Sequence, residues 1–444
     1  LRPDGILSPE LAARRFLDSL GEPTRILVAI SGGSDSTGLL LSLAEALKAG
    51  SNSQTSLCAA TVDHALRAES ADEARQVATL CQSLNIPHVT YIWQGEKPKT
   101  GIMAAAREAR YGLLADTADK LHADLIVTAH TFDDQQETLA MRGLRSGLGS
   151  TGIADAVLFD RRIWIARPFL PCLRADIRDF LQVRDVSWFD DPSNEDIKYE
   201  RVRTRRHLAE EGASLSPTNA AADQRQRLGS EAGNWLDQYF TLHQGVLGRI
   251  AAAGLGAEPH LLEYSLGRLA AVFGGQPFPL PGDKMRRVLD FLKKGTPGRV
   301  TAGRVVFDLR SDGLYLARES RGILPLLLDR GTRGIWDGRF SVENRDMRPV
   351  IVEAGETIPA GDAGKALPKA AFKRALAAFP NVSFAKDEGF SAGSSPVARI
   401  TPYFAPFDRF LTRFDLIFAN RLAAAFGTCL YPRPPLGLID GKTV

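Results

Sequence analysis

The sequence predicts an α/β protein: a doubly wound parallel sheet, then a mainly helical part and a smaller α+β part. Three observations carry that prediction. An unbroken apolar run, Ile26-Leu27-Val28-Ala29-Ile30, leads straight into Ser31-Gly32-Gly33-Ser34-Asp35-Ser36. Strand-like and helix-like segments then alternate as far as residue 140 or so, the pattern of a parallel sheet with crossover helices. Polar residues collect where strands end, which is where open α/β sheets place their ligand crevice.

The elements follow in order. Ser8-Pro9 opens a short helix, with Ser as N-cap and Pro at the first helical position. Ile26–Ile30 suits a strand buried on both faces. After the Ser31–Ser36 turn, Leu39, Leu40, Leu43, Ala46 and Leu47 recur at helical spacing. Leu57–Val62 is the second strand and ends in Asp63-His64; a helix follows from about Ala71, with Cys81 on its apolar face. Val89–Trp93 is the third strand, Ile102 to about Lys120 a long helix, and Leu125–Ala129 the fourth strand, running into His130. A helix begins near Asp133, and Ala156–Phe159 with Ile163–Ala166 forms a hairpin.

The turn at Ser31–Ser36 is the first candidate site. Glycines let a ligand approach the backbone, and a helix start offers unpaired N–H groups to an anion. Ser31, Ser34 and Ser36 add hydroxyl donors, and Asp35 adds a carboxylate for the divalent cation that accompanies a polyphosphate. An ordinary capped turn is the alternative. Asp63, His64 and His130 lie at strand ends that converge on the same crevice. Arg107 and Arg110 share a helix face and suit a triphosphate, although solvated arginines satisfy the same pattern. Asp134 and Glu137 lie three apart at a helix start: either dipole-favoured acids, or a pair that binds a metal or amine or accepts a proton. Gly147-Leu148-Gly149-Ser150-Thr151-Gly152 follows a helix instead of a strand, so it is not a dinucleotide fingerprint. Arg201, Arg203, Arg205 and Arg206 form either a solvated basic face or a contact to a phosphate backbone.

Composition narrows the classes. A net charge of +3 over 444 residues argues neither for nor against nucleic acid. Four cysteines, Cys58, Cys81, Cys172 and Cys429, contain no C-x-x-C, against a disulfide framework or a cysteine-held metal and in keeping with a reducing cytoplasm. No run of about 18 apolar residues predicts a membrane span, and the first residues lack the basic-then-apolar order of a secretory signal. No Walker A motif occurs.

The SGGSDS turn resembles the loop of the PP-loop ATP pyrophosphatases, Rossmann-like enzymes that split ATP between the α and β phosphates and adenylate a substrate. His130-Thr131-Phe132-Asp133-Asp134-Gln135-Gln136-Glu137-Thr138 narrows this, being similar to the HHxDDQxET block of the tRNA(Ile)-lysidine synthetases. Asp63-His64-Ala65-Leu66-Arg67, Ala106-Arg107 with Arg110-Tyr111, the Gly147–Gly152 loop, Arg167-Pro168 and Asp191-Pro192-Ser193-Asn194 with Arg203-Thr204-Arg205 stand in that family's order. The similarity covers roughly residues 25–210. Thr131 replaces the family's second His, and Val202 stands where Asn is usual.

The resemblance implies a reaction and its residues. L-Lysine is joined through its ε-amine to the C2 carbon of the wobble cytidine of tRNA(Ile) with anticodon CAU, after ATP and Mg²⁺ have adenylated that base. ATP would lie on Ser31, Gly32, Gly33, Ser34, Asp35, Ser36, Asp63, His64, Arg107, Arg110 and His130, with the metal at Asp35. Asp35, Asp134, Glu137 and Arg205 would be catalytic. Arg201, Arg203, Arg205, Arg206, Gly147 and Gly149 would touch tRNA. The domains implied are 1–215 catalytic, 216–322 mainly helical and 323–444 α+β, the latter two holding tRNA, with Lys284, Arg286, Arg287, Lys293 and Lys294 as basic candidates. Long members of the family are homodimers by the same resemblance. Two alternatives are another PP-loop tRNA-modifying enzyme, such as a 2-thiolase, for which the cysteine pattern is missing, and a non-catalytic tRNA-binding relic.

Overall fold

β1 (Arg25–Ala29) is the centre of the sheet in the computed structural model, which describes residues 5–50, 54–63, 70–93, 101–143, 152–190, 200–211, 219–355, 367–385, 397–439 and 442–443. Ahead of it, α1 spans Pro9–Asp18 and is capped by Ser8, whose hydroxyl accepts from the Leu11 N–H. After it come α2 (Ser34–Lys48), β2 (Ser56–Asp63), α3 (Ser70–Ser83), β3 (His88–Ile92), α4 (Ile102–Leu121), β4 (Leu125–Val127) and α5 (Phe132–Gly143). The antiparallel hairpin β5 (Ala156–Phe159) and β6 (Ile163–Ala166) follows, then α6 (Arg174–Val183) and α7 (Glu200–Glu211).

These strands lie in the order β5-β6-β4-β1-β2-β3. β3, β2, β1, β4 and β6 are parallel neighbours, and β5 turns back against β6. The chain builds outward from β1 to β3, then returns to lay β4 on the other side of β1. The strand order therefore reverses between β1 and β4, where ligands bind in open α/β sheets. Ile26, Leu27 and Val28 are wholly buried, as an apolar run without alternation requires. Gly38, in α2, lets α6 approach: a Cβ there would lie 2.5 Å from Ile177 Cγ2.

The chain divides into two compact units, Leu1–Arg225 with Pro432–Val444, and Gln226–Tyr431. The boundary falls inside α8 (Asn219–Tyr239). This differs from the three parts expected at 1–215, 216–322 and 323–444. The physical reason is a shared core: Val246, Leu247, Tyr315 and Ala317 pack in one cluster with Ala371, Phe372, Ala375 and Leu376. The stretch expected to be mainly helical also carries a sheet. β7 (Phe240–His243) and β8 (Leu247–Ala251) precede α9 (Pro259–Gly274) and α10 (Gly282–Lys293), and β9 (Gly298–Ala302), β10 (Val305–Arg310) and β11 (Gly313–Arg318) follow, in the order β7-β8-β11-β10-β9. The β7–β8 turn is made by Gln244 and Gly245, at φ 47° and 70°. β10 and β11 pair as an antiparallel hairpin, with Val305 opposite Arg318 and Arg310 opposite Gly313.

Candidate active site

The site is built from the ends of β1 and β4 and the starts of α2, α5 and α6. Gly32 takes φ +86°, and a Cβ there would lie 2.9 Å from the Phe189 ring and 3.1 Å from Val77 Cγ2, so both conformation and space call for glycine. The Phe189 N–H donates to the Gly32 carbonyl at 2.9 Å, fixing the loop from one side. Ser36 Oγ fixes it from within: it accepts from the Ser31 N–H at 3.1 Å, lies 3.2 Å from Ser31 Oγ and donates to the Gly33 carbonyl. Gly33 is the N-cap of α2 and provides no side-chain acceptor. The first-turn N–H groups of α2 thus have no capping side chain, the arrangement that receives a phosphate. Ser34 Oγ donates to Asp35 Oδ1 at 3.2 Å.

α5 starts with a reciprocal cap. The Thr131 N–H donates to Asp134 Oδ2 at 2.8 Å, and the Asp134 N–H reaches Thr131 Oγ1 at 3.4 Å. This is the capping-box pattern with Asp in the third position. It gives the departure at Thr131 a structural sense and leaves Asp134 Oδ1 aimed at the crevice. Phe132, at the helix start, is held by a 2.9 Å bond from its N–H to the Cys172 carbonyl.

Three carboxylates meet three guanidinium groups. Arg174 Nε donates to Asp35 Oδ2 and its Nη2 to Asp134 Oδ1, each at 3.0 Å, and its Nη1 lies 3.9 Å from Glu137 Oε1. The Arg174 backbone N–H donates to Asp133 Oδ2 at 2.8 Å, tying the start of α6 to the start of α5. Arg201 Nη2 donates to Asp134 Oδ1 at 2.6 Å and its Nε to Glu137 Oε2; Arg205 Nε donates to Glu137 Oε1 at 2.6 Å. Arg201 and Arg205 are one helical turn apart, so both reach α5 from one face of α7, while Arg203 and Arg206 are exposed. Val202 is buried, which accounts for an apolar residue at that position.

The two aspartates are held in opposite senses. Burial pushes the Asp35 carboxyl up, and Arg174 only partly offsets it. Burial also acts to raise Asp134, but Arg201, Arg174 and the Thr131 N–H outweigh it and hold that carboxyl below its usual range. His130 follows β4 with Nδ1 3.1 Å from Thr128 Oγ1. Burial and then the Arg167 charge push its pKa down to about 3, so it is a neutral imidazole.

The remaining expected residues divide between described and undescribed segments. Asp63 ends β2 and is buried. Arg107 and Arg110 are exposed on α4, and the Arg107 guanidinium lies 5.0 Å from the Tyr111 ring centroid. His64, Gly147, Gly149 and Asp191–Asn194 lie outside the described residues. Gly152, at the far end of that glycine stretch, has φ +67° and packs on Gln135, whose Nε2 donates to the Ile153 carbonyl at 3.1 Å. Among the described residues no group of three His, Cys, Asp or Glu could hold a metal ion. Mg²⁺ commonly binds through one or two carboxylates plus substrate phosphates, so Asp35 at the loop is compatible with it. No described helix is long and apolar enough to cross a membrane. In the second unit, Lys284, Arg286, Arg287, Lys293 and Lys294 line the exposed face of α10 and the residue after it, opposite buried Met285 and Val288.

Sequence reasoning missed Arg174, Gln135 and the role of Thr131. A T-x-x-D signal at Thr131–Asp134 marked the cap; nothing local marked Arg174, whose target carboxylates lie 139 and 40 residues away.

Comparison with known proteins adds the family. A PP-loop domain profile matches residues 10–212. The tRNA(Ile)-lysidine synthase of Rhizobium meliloti is 42% identical over 444 residues, covering 96% of this chain and 96% of that one. The enzyme of the same name from Mesorhizobium japonicum is 39% identical, covering 97% and 98%. Among solved structures, the U34-tRNA thiolase NcsA from Methanococcus maripaludis is similar at a TM-score of 0.34 and 16% identity, over 47% of this chain and 81% of that one. With the PP-loop domain and near-complete similarity at this identity, the chain belongs to the tRNA(Ile)-lysidine synthase family.

Proposed function

We infer that this chain joins L-lysine to the C2 carbon of the wobble cytidine of tRNA(Ile) with anticodon CAU, using ATP and Mg²⁺. The observation that carries the assignment of residues is the carboxylate pair Asp134 and Glu137 standing beside Asp35 of the nucleotide loop, with one arginine touching all three. A site that must first place ATP and then an amine needs anion donors and carboxylates side by side.

The amide-like oxygen of cytosine is a poor leaving group, and adenylation makes it a good one. In the first step that oxygen attacks the α-phosphorus and pyrophosphate departs. Backbone N–H groups of Gly33–Ser36, with Ser31 and Ser34, hold the phosphates, and Arg107, Arg110, Asp63, His64 and His130 complete the nucleotide side. Asp35 would hold Mg²⁺, which when bound supplies neutralising charge to the phosphates. In the second step the ε-amine of lysine attacks C2, the carbon–oxygen bond breaks, and AMP leaves with the former cytosine oxygen. The amine must be neutral to attack. Asp134 and Glu137 attract it as an ammonium and take its proton, and Arg205 holds Glu137 in place. Arg201, Arg203 and Arg206, together with Gly147 and Gly149, form the tRNA side of the crevice, and the basic face of α10 contacts the phosphate backbone.

A homodimer in the cytoplasm completes the reading. The family resemblance supports the dimer, and light scattering checks it. Free cysteines, three buried and Cys429 exposed, suit a reducing compartment. The experiment that tests the assignment is Asp134→Asn in two assays: ATP–pyrophosphate exchange with cognate tRNA should persist, and lysine-dependent AMP release should fall by at least tenfold. Normal lysine-dependent turnover would refute the role given to Asp134.

A further inference from the structure

Arg174 makes a contact pattern that the proposed chemistry does not use. Its Nε pairs with Asp35, the carboxylate given to the metal, and its Nη2 pairs with Asp134, a carboxylate given to the lysine amine; both distances are 3.0 Å. The same guanidinium is 3.9 Å from Glu137. One side chain therefore holds a cationic group against acceptors of both incoming cations. Its anchor is independent of those contacts, because the backbone N–H is fixed on Asp133 at the start of α6. The side chain is long, and four-fifths of it is covered.

Resting on the functional reading above, we propose that Arg174 is a positioning residue that makes lysine capture conditional on ATP. Without nucleotide it stands between Asp35 and Asp134 and competes with the substrate ammonium for Asp134 Oδ1. A metal–nucleotide complex arriving at Asp35 removes one of its two close partners and offers phosphate oxygens instead. The guanidinium then turns toward the phosphates and gives up its share of Asp134 Oδ1 to the amine, while Arg201 keeps its own contact with that oxygen. The premature state, lysine bound with no adenylated base to receive it, is disfavoured by the protein itself. Arg201 and Arg205 cannot serve this function, since neither makes a described contact with Asp35 and both act only on the α5 pair. The scheme is a coupling free energy between two sites, so it must be reciprocal: lysine strengthens nucleotide binding by the factor that nucleotide strengthens lysine binding.

The test is calorimetric titration of lysine into the full-length protein, alone and with Mg²⁺ and α,β-methylene ATP, which cannot be split at the reacting bond. Wild type is expected to bind lysine roughly tenfold more tightly with the nucleotide, within the usual range of site-to-site coupling. Arg174→Met removes the charge and keeps the aliphatic stem. It is expected to bind lysine equally well with and without nucleotide, and more tightly than wild type without it. Arg174→Lys, with one compact charge unable to span two carboxylates, should also lose most of the coupling. Thermal melts of each variant report folding separately. An unchanged coupling ratio in Arg174→Met overturns the proposal, as does lysine binding weakened equally in both conditions, the mark of a strut. If wild type binds no lysine in either condition, the functional reading fails and the coupling with it.

Discussion

Thr131 and Asp134 cap one another at the start of α5, with the Thr131 N–H on Asp134 Oδ2 at 2.8 Å and the Asp134 N–H on Thr131 Oγ1 at 3.4 Å. The cap is both a stability feature and an aiming device, since it leaves Asp134 Oδ1 to face Arg174 and Arg201. Thr131→Ala should cost about 1 kcal/mol, the usual loss for an N-cap hydroxyl, and lower the melting temperature by about 2–4 °C. Thr131→Ser should restore both stability and lysine KM. A Thr131→Ala protein with unchanged melting and unchanged KM would separate the cap from the site.

Asp35 and Asp134 should give opposite pH signatures when neutralised. The folded pKa of Asp35 is raised, so its proton is bound more tightly in the native state, and its ionisation costs stability as pH rises from the unfolded value of 3.8 through the folded one. Asp134 is lowered, so its contribution is full above 3.8 and is lost as pH falls through the folded value. Asp35→Asn should therefore be neutral or stabilising at pH 7 relative to its effect in acid. Asp134→Asn should destabilise at pH 7 by about 1.5–3 kcal/mol, the range for hydrogen bonds to charged groups, with the difference from wild type shrinking in acid. Melting curves of the three proteins at both pH values check the signs.

Gly32→Ala should damage the loop twice. The φ of +86° carries a penalty of about 1–2 kcal/mol for a residue with a Cβ, and the new methyl meets the Phe189 ring at 2.9 Å. Lower stability and weaker ATP binding are expected together. Phe189→Leu should relieve part of the contact but none of the backbone strain, so a double variant recovers only partly.

His130 should leave no mark on the pH profile near the ordinary histidine value of about 6.5. With its pKa pushed down to about 3, it is neutral across the working range. Rates for wild type and His130→Asn, taken across that region, should differ in height and not in shape. A limb near 6.5 that vanishes in the variant would show that the imidazole titrates during turnover.

The parts of the fold legible in the sequence were those with local causes. The apolar run of β1, the helical period of α2 and the hairpin at Asp160-Arg161-Arg162 each stand where pattern and turn chemistry put them. The β7–β8 strands were less legible, because Phe240–Ala251 is short and sits among helical patterns; only the Gln244-Gly245 pair signals the turn. In the site, Asp35, Asp134 and Glu137 could be found from strand ends and helix starts. Arg201 and Arg205 could be found as a cluster, but a helix-face pair does not say whether it faces RNA or carboxylates, and here it meets Glu137. Arg174 sits in an ordinary amphipathic helix, and only the packing of α6 against α2 and α5 brings it to three carboxylates.

The central claim is lysine transfer to the wobble cytidine. Mass spectrometry of tRNA(Ile) with anticodon CAU, after incubation with the protein, ATP, Mg²⁺ and L-lysine, tests it most directly. The account predicts a mass gain of one lysine minus one water, confined to the wobble cytidine and absent when ATP or lysine is withheld. Unmodified tRNA from a preparation that still performs ATP–pyrophosphate exchange would contradict it.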